Sequence, residues 1–205
     1  MFFRLLVIVL VVVGGYFSFE IVRFHSFSSQ NTAGAPQYLV QEPQSKTKDE
    51  KITVVEFLDY NCSYCQTIHN SVQEVIKNNS NVEYIARPIP ILGDASEQLV
   101  RLALAAGHLG NFWDFHHALM TFPAGHLTQK QIRSAAKAAN LDFEKLSRLA
   151  RSEKVTRDYQ SNLKAAIDID LDSTPTFLIN EEVYVPEDGL IKSQDLQKAI
   201  DTLAR

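Results

Sequence analysis

The sequence predicts one α/β domain whose sheet is interrupted by a run of helices. Residues 52–58 form a short apolar stretch rich in β-branched side chains, typical of a buried strand, and an amphipathic helix pattern follows it directly. From residue 94 to 169 the pattern is wholly helical. Strand patterns return at residues 176–180 and 183–185. The helical run is therefore predicted to be an insertion within one fold.

The size and charge of the chain fit a single domain with a hydrophobic core. It has 205 residues, 45% of them apolar, and a formal net charge of −4. A slightly acidic balance gives no support to a nucleic-acid partner, which would require a basic surface. These figures disfavour polyanion binding but identify no function.

The N-terminal segment, residues 1–24, is predicted to be a hydrophobic signal or anchor helix outside the domain. Arg4 precedes an uncharged apolar run from Leu5 to Phe19. The run is short for a membrane span of roughly 20 residues, yet the one Ala-x-Ala cleavage pattern, at residues 33–35, lies far beyond it. An uncleaved anchor is therefore favoured over a cleaved signal. Residues 25–50, polar and without periodicity, are predicted to be a linker.

The predicted front half of the sheet is a strand, a helix and a second strand. Residues 52–58 are followed by a helix whose apolar face is marked by Ile68, Val72, Val75 and Ile76. A second strand at residues 82–87 ends at Pro88 and Pro90, which cannot donate to a strand ladder. A strand, helix and strand in this order predict a right-handed parallel unit.

The two cysteines, Cys62 and Cys65, lie at the predicted turn from strand to helix. A bridge between them would close a loop too short to stabilise the fold much, so the spacing favours a reversible dithiol. We expect the Asn61 side chain to cap the helix, placing Cys62 in the first turn, where free N–H groups and the helix dipole stabilise a thiolate. Cys62 is then the nucleophile, and Cys65 is the resolving thiol.

Two other uses of a Cys-x-x-Cys pair are disfavoured. A zinc site normally has four ligands, and the chain has one Cys pair and six scattered His, of which only His116 and His117 are adjacent. No metal or other cofactor is therefore predicted. Covalent haem attachment requires His immediately after the second cysteine, where this chain has Gln66.

Glu56 is the second candidate for the chemistry of the site. A carboxyl within an apolar strand is costly to bury ionised, and it usually has a raised pKa or a partner. Six residues before Cys62, it can lie beneath the helix and relay protons to Cys65. The alternative is that strand alternation directs Glu56 to solvent or to a lysine.

The strand with Glu56, the motif Cys62-Ser63-Tyr64-Cys65 and the distant segment Ser173-Thr174-Pro175-Thr176-Phe177 together resemble the DsbA-like thiol:disulfide oxidoreductases of the thioredoxin superfamily. The resemblance implies a thioredoxin fold at residues 51–93 and 170–205, with an all-helical insertion at residues 94–169. It implies that Pro175 is cis and that the Thr174 backbone binds an incoming peptide beside the sulfurs. It also favours the buried, catalytic role for Glu56.

The chain departs from the family pattern between the cysteines. Well-known members have Pro-His there, and the His helps to hold the thiolate, whereas this chain has Ser63 and Tyr64. A very oxidising potential is therefore not expected.

Other residues in and near the insertion can be read in two ways. Phe112, Trp113, His116 and His117 could line a ligand site, but aromatic residues at helical spacing favour core packing. His69, one turn after Cys65, could tune that thiol, but an exposed helical His is favoured.

The resemblance implies an enzyme of the bacterial periplasm, soluble or held at the inner membrane by the N-terminal segment. It implies a protein-disulfide oxidoreductase, foremost an oxidase that donates the Cys62–Cys65 disulfide to reduced or unfolded exported proteins and is reoxidised by a quinone-linked membrane partner. A reductase or isomerase with the same dithiol is the alternative, although residues 25–50 are too short for the dimerisation domain of periplasmic isomerases. A non-catalytic peptide-binding or chaperone module is the third reading.

Overall fold

A computed structural model describes residues 9–13, 16–20, 35–41, 51–186 and 191–203. Its strands are β1 (Val9–Val13), β2 (Tyr16–Glu20), β3 (Val40–Gln41), β4 (Ile52–Leu58), β5 (Val82–Pro88), β6 (Thr176–Ile179) and β7 (Glu182–Tyr184). Its α-helices are α1 (Ser63–Asn78), α2 (Asp94–His108), α3 (Phe112–Met120), α4 (Gln129–Ala138), α5 (Phe143–Leu149), α6 (Glu153–Asp168) and α7 (Ser193–Leu203).

Five strands form one mixed sheet with β4 at its centre. The order is β3-β5-β4-β6-β7, with β4 and β5 parallel and the other neighbours antiparallel. Val54 to Leu58 are all buried, which explains why this strand is apolar throughout rather than alternating. Glu56 pairs with Ala86 on one side and Phe177 on the other, so its strand has no edge open to water there.

The helices α2 to α6 lie between β5 and β6 in the chain, as the helical pattern predicts. Helix α4 begins with a capping box, since Thr128 and Gln131 bond each other's backbone N–H groups. Helix α2 has nine buried residues, and each fully buried Leu or Val contributes roughly 1.5–3 kcal/mol. Asn162 of α6 donates to the Pro88 carbonyl at 3.1 Å. The helical run is thus packed as core and fastened to the end of β5.

The N-terminal prediction falls mostly outside the described residues. Within residues 1–24 the structure describes only β1 and β2, which pair antiparallel, where the sequence predicts a helix. In the sequence, a valine-rich run followed by Gly-Gly is typical of a strand and hairpin as well as of a membrane anchor. This accounts for strands at positions where the sequence predicts a helix. In the described ranges, the structure has no helix with the length and apolar character needed to cross a membrane.

Candidate active site

The loop between β4 and α1 is held by the carboxylate of Asp59. Asp59 accepts hydrogen bonds from the backbone N–H groups of Asn61, at 2.8 Å, and Leu92, at 3.0 Å. The Ser96 hydroxyl donates to the same carboxylate at 2.6 Å. Asp59 is fully buried, so these donors supply the hydrogen bonds that water would otherwise make. They fix the residues that lead into the cysteine pair.

Helix α1 begins at Ser63 with Cys62 as its N-cap. The prediction that Asn61 caps the helix is therefore wrong. The Asn61 side chain accepts from the Leu127 N–H at 2.9 Å and donates to the Ser96 hydroxyl at 3.1 Å, so it binds the helical run instead. Cys62 takes the capping role itself, since its Sγ accepts from the Cys65 N–H at 3.4 Å. The sulfur still lies at the positive end of the helix, as the spacing indicates.

The Cys62 sulfur is unusually acidic. Its pKa is lowered to about 6, chiefly by the hydrogen bond with the Cys65 thiol, with further contributions from the Thr174 side chain and the N–H groups of Cys65 and Tyr64. Partial burial opposes the shift without cancelling it. With this pKa, Cys62 is mostly thiolate at pH 7. Only the thiolate attacks disulfides.

Cys65 has the opposite character. It is fully buried, and burial, together with the Cys62 hydrogen bond and the charges of Cys62 and Glu56, raises the pKa of its thiol well above the ordinary value. The two sulfurs therefore differ in charge at neutral pH. This is the asymmetry that thiol exchange needs between an attacking and a resolving cysteine.

Glu56 lies inside the sheet rather than at the surface, since only 1% of the residue is exposed. The Tyr84 hydroxyl donates to its Oε2, and within the described structure Oε1 has no hydrogen-bond partner. Burial raises the pKa of the carboxyl to about 7, although the Tyr84 bond acts to lower it, and the charge of Cys62 raises it further. A carboxyl with this pKa can both hold and release a proton at neutral pH.

The segment before β6 comes back to the dithiol. The Thr174 carbonyl lies 3.3 Å from Cys62 Sγ, and the Thr174–Pro175 peptide bond is cis, the form that the resemblance implies. Between the cysteines, Ser63 and Tyr64 are exposed, and Tyr64 keeps 50% of its surface in solvent. The residues predicted for the site therefore meet at one end of the sheet.

Gln66 is a positioning residue that sequence reasoning missed. Its side-chain amide donates to the Tyr60 carbonyl at 2.8 Å and to the Gly125 carbonyl at 3.3 Å, and its Oε1 accepts from the Gly125 N–H at 2.7 Å. These bonds join the first turn of α1 to the loop between α3 and α4. Asp59 and Ser96 were missed as well, because a polar residue carries no sequence signal of which distant group it will bond.

His69 is buried, with 3% of its surface exposed, so the prediction of an exposed helical His is wrong. Helix α3 covers this face of α1 and brings His116 and His117 against it. Burial lowers the pKa of His69 to about 4 and the pKa of His116 well below its usual value, and it also lowers the pKa of His117. All three imidazoles are neutral at pH 7. Phe112 and His116 are buried, as the core interpretation of these aromatic residues predicts.

A family model for the DSBA-like thioredoxin domain matches residues 53–201. The chain belongs to this family. The matched range includes both strands of the parallel unit, the helical run and the segment around Pro175. The DsbA-like fold is therefore a thioredoxin-like α/β sheet with helices α2 to α6 between its two halves.

Solved structures with this fold include several thiol-disulfide proteins. A thioredoxin-like oxidoreductase from Silicibacter pomeroyi DSS-3 is 31% identical with a TM-score of 0.68, covering 81% of this chain and 95% of that one. The thiol-disulfide exchange protein alpha-DsbA2 from Wolbachia pipientis is 25% identical, with a TM-score of 0.66 and coverage of 85% and 94%. A periplasmic thioredoxin-like protein from Salmonella enterica serovar Typhimurium, at 24% identity, has a TM-score of 0.65 and coverage of 86% and 97%, which shows a common fold.

Curated relatives include much longer proteins. The Na(+)/H(+) antiporter NhaA 1 of Salinispora arenicola is 27% identical over 141 residues, which are 65% of this chain and 21% of the antiporter. NhaA 1 of Mycolicibacterium gilvum is 28% identical over 137 residues, with 64% and 22% covered. The chain thus spans about a fifth of the length of the curated relatives it matches.

Proposed function

We propose that this chain is a thiol:disulfide oxidoreductase that oxidises dithiols in exported proteins by donating its Cys62–Cys65 disulfide. The observation that carries the proposal is the acidity of Cys62, whose pKa of about 6 lies below the ordinary cysteine value of 9.0. A stabilised thiolate favours the reduced form of the enzyme, and a dithiol whose reduced form is favoured is an oxidant.

The exchange proceeds in two displacements. A substrate thiolate attacks Cys62 Sγ, the Cys62–Cys65 bond breaks, and Cys65 leaves as a thiolate while a mixed disulfide forms. A second substrate thiolate then attacks the substrate sulfur of that mixed disulfide, and Cys62 leaves as the stabilised thiolate. Two electrons pass from the substrate dithiol to the enzyme disulfide, and the substrate gains one disulfide bond.

Glu56 is proposed to manage the proton at Cys65. Because burial raises the pKa of the Cys65 thiol well above its usual value, the departing Cys65 thiolate requires a proton. Glu56 lies close enough to Cys65 for its charge to raise the pKa of that thiol. Because the pKa of Glu56 itself is about 7, it can donate a proton to Cys65 at neutral pH. In the reverse direction the same carboxylate accepts the proton, which makes it a relay for either direction of exchange.

The substrate peptide is proposed to lie beside Thr174 and Pro175. The Thr174 carbonyl, 3.3 Å from Cys62 Sγ, is a backbone acceptor next to the reacting sulfur. The exposed ring of Tyr64, in the first turn of α1, and the exposed side chains of Ile91 and Leu92, in the loop after β5, offer apolar contacts. The bond from the Leu92 N–H to Asp59 joins that loop to the one that leads into α1. Such a surface suits unfolded chains, which present apolar side chains and free backbone groups.

Location, attachment and reoxidation are further parts of the proposal. The apolar run after Arg4 supports export to the periplasm, with residues 1–24 as the anchor at the inner membrane and a quinone-linked membrane protein as the reoxidant. Cell fractionation followed by N-terminal sequencing tests attachment. Recovery of an intact chain in the membrane fraction supports the anchor, whereas a soluble mature chain beginning after residue 35 refutes it.

The reduction potential decides the direction of the chemistry. Equilibration of the full chain with glutathione should give a reduction potential between two reference values. These are thioredoxin's, about −270 mV, and that of the strongest oxidant of the superfamily, about −120 mV. A value at or below −270 mV would discard the oxidase in favour of a reductase. Cys65→Ala should accumulate a covalent complex with a peptide disulfide through Cys62, detected by mass spectrometry. Failure to trap one refutes Cys62 as the nucleophile.

A further inference from the structure

Three histidines form a cluster between the active-site helix and the helical run. His69 lies on α1, and His116 and His117 lie on α3. The ring centroids form a nearly equilateral triangle with sides of 5.2, 5.2 and 5.3 Å. One ring nitrogen from each residue lies within 4.8 Å of the other two. The three nitrogens therefore lie close enough together to contact a single ion.

The spacing of these nitrogens approaches that of a metal site. His69 Nε2 and His117 Nδ1 are 3.1 Å apart. Two imidazole nitrogens bound to one tetrahedral zinc ion, each at about 2.0–2.1 Å, lie about 3.3 Å from each other. His69 Nε2 and His117 Nδ1 share a hydrogen bond in this structure and so already lie nearly this far apart, and a metal ion would take the place of that bond. The His116 nitrogen lies within 4.8 Å of both.

His116 provides an independent observation that points to a ligand. It is fully buried, and in the part of the chain that the structure describes its Nε2 has no hydrogen-bond partner. A buried polar nitrogen without a partner is destabilising, so a ligand at this position would be favourable. Its Nδ1 lies 3.1 Å from the Tyr60 hydroxyl. A metal-bound histidine typically has its second nitrogen held in this way, which fixes the ring and directs the other nitrogen to the metal.

The surroundings indicate which metal suits the cluster. The ligand set consists of three imidazole nitrogens. Imidazole is a good ligand for zinc, and three protein ligands with an open fourth position are a common zinc arrangement. His117 is only partly buried, and the charge of Asp114 acts on it. The Asp114 carboxylate would offset part of the charge of an ion bound there.

We propose that His69, His116 and His117 bind one Zn²⁺ ion that joins α1 to α3. The ion would fasten the helix that carries both cysteines to the helical run that covers it. This role is separate from thiol exchange, since none of the three residues takes part in the displacement steps. His69 nonetheless lies one turn after Cys65 on the same helix, so zinc would fix the position of the resolving thiol.

Zinc binding is tested on the full chain without an affinity tag, with Cys62 and Cys65 oxidised to the disulfide so that no thiolate can bind metal. Isothermal titration with zinc chloride should show one ion per chain, and saturating zinc should raise the melting temperature. His117→Ala should weaken binding at least about a hundredfold, more than the loss of an outer partner, which costs 10–100-fold. The matched control is His126→Ala at an exposed site, which should bind zinc as wild type does.

His117 is the chosen variant because it is the least buried of the three, and circular dichroism verifies that it folds. If His117→Ala unfolds, His117→Gln replaces it. Cobalt provides a second readout, since Co²⁺ in a tetrahedral nitrogen site gives visible absorption bands that should appear in wild type and vanish in the His117 variant. Absence of zinc binding by the oxidised wild type, or equal affinity in the wild type and the His117 variant, overturns the proposal.

Discussion

Replacing Glu56 by glutamine should abolish a pH dependence of stability that burial of this carboxyl creates. The folded pKa is about 7, raised by burial from the ordinary value of 4.5. Between these values the folded state keeps the proton and the unfolded state loses it. The contribution of the protonated Glu56 carboxyl to the free energy of unfolding, relative to glutamine, is therefore fully present below pH 4.5. It is lost as the pH rises through 7.

The size of this effect follows from the shift. A change of 2.5 pKa units corresponds to about 3 kcal/mol, and little solvent screening applies because Glu56 is 1% exposed. The free energy of unfolding of wild type, relative to Glu56→Gln, should thus fall by about 3 kcal/mol between pH 4 and pH 8. This is a large fraction of the 5–15 kcal/mol that is typical of a domain.

Urea unfolding of the oxidised protein at several pH values measures the part of the effect that burial causes, since the disulfide removes both the cysteine titrations and the smaller contribution of the Cys62 charge. The difference between wild type and variant is compared across pH rather than at one pH, because the amide also changes hydrogen bonding. Glu182→Gln, at an exposed position in the same sheet, is the control and should follow wild type. Parallel curves for wild type and Glu56→Gln would falsify the raised pKa and the proton relay with it.

Three further outcomes are expected. Ultraviolet titration of the reduced protein should show a thiolate step with a midpoint near pH 6, and a midpoint near 9 contradicts the assignment of Cys62 as nucleophile. Tyr84→Phe removes the hydrogen bond that lowers the pKa of Glu56, so the stability transition should move above pH 7, and an unmoved midpoint counts against this contact. Gly107→Ala should destabilise by about 1–3 kcal/mol, because the new Cβ would lie 2.1 Å from the Tyr38 ring; combining it with Tyr38→Ala should restore part of the loss in urea unfolding.

Local pattern was sufficient to predict the elements that carry the site. The residues from Val54 to Leu58 are buried on both faces of the sheet, so they show no apolar/polar alternation, and the strand has the bounds that this pattern predicts. The capping box at Thr128 was predictable because both of its bonds join residues three apart in the chain. The position of Cys62 at a helix start followed in the same way from the strand and helix patterns around it.

Contacts between distant segments were not predictable, and two errors show why. Asn61 has the chemistry of a helix cap, but the Leu127 N–H and the Ser96 hydroxyl, far along the chain, take its side chain. His69 has the sequence position of an exposed helical residue, but α3 covers it. In both cases the local preference was outweighed by a partner whose position depends on how the helical run packs.

The sequence by itself determined the α/β order of elements, the dithiol at the head of a helix and the carboxyl within a buried strand, because each depends on neighbouring residues and on hydrophobic periodicity. Only the tertiary structure decided which partners lower the pKa of Cys62, that Glu56 is buried against Tyr84, and that His69 meets His116 and His117. Those properties depend on burial and on partners such as Thr174 and Tyr84, which the chain brings to the site only when the sheet closes and the helices pack over it.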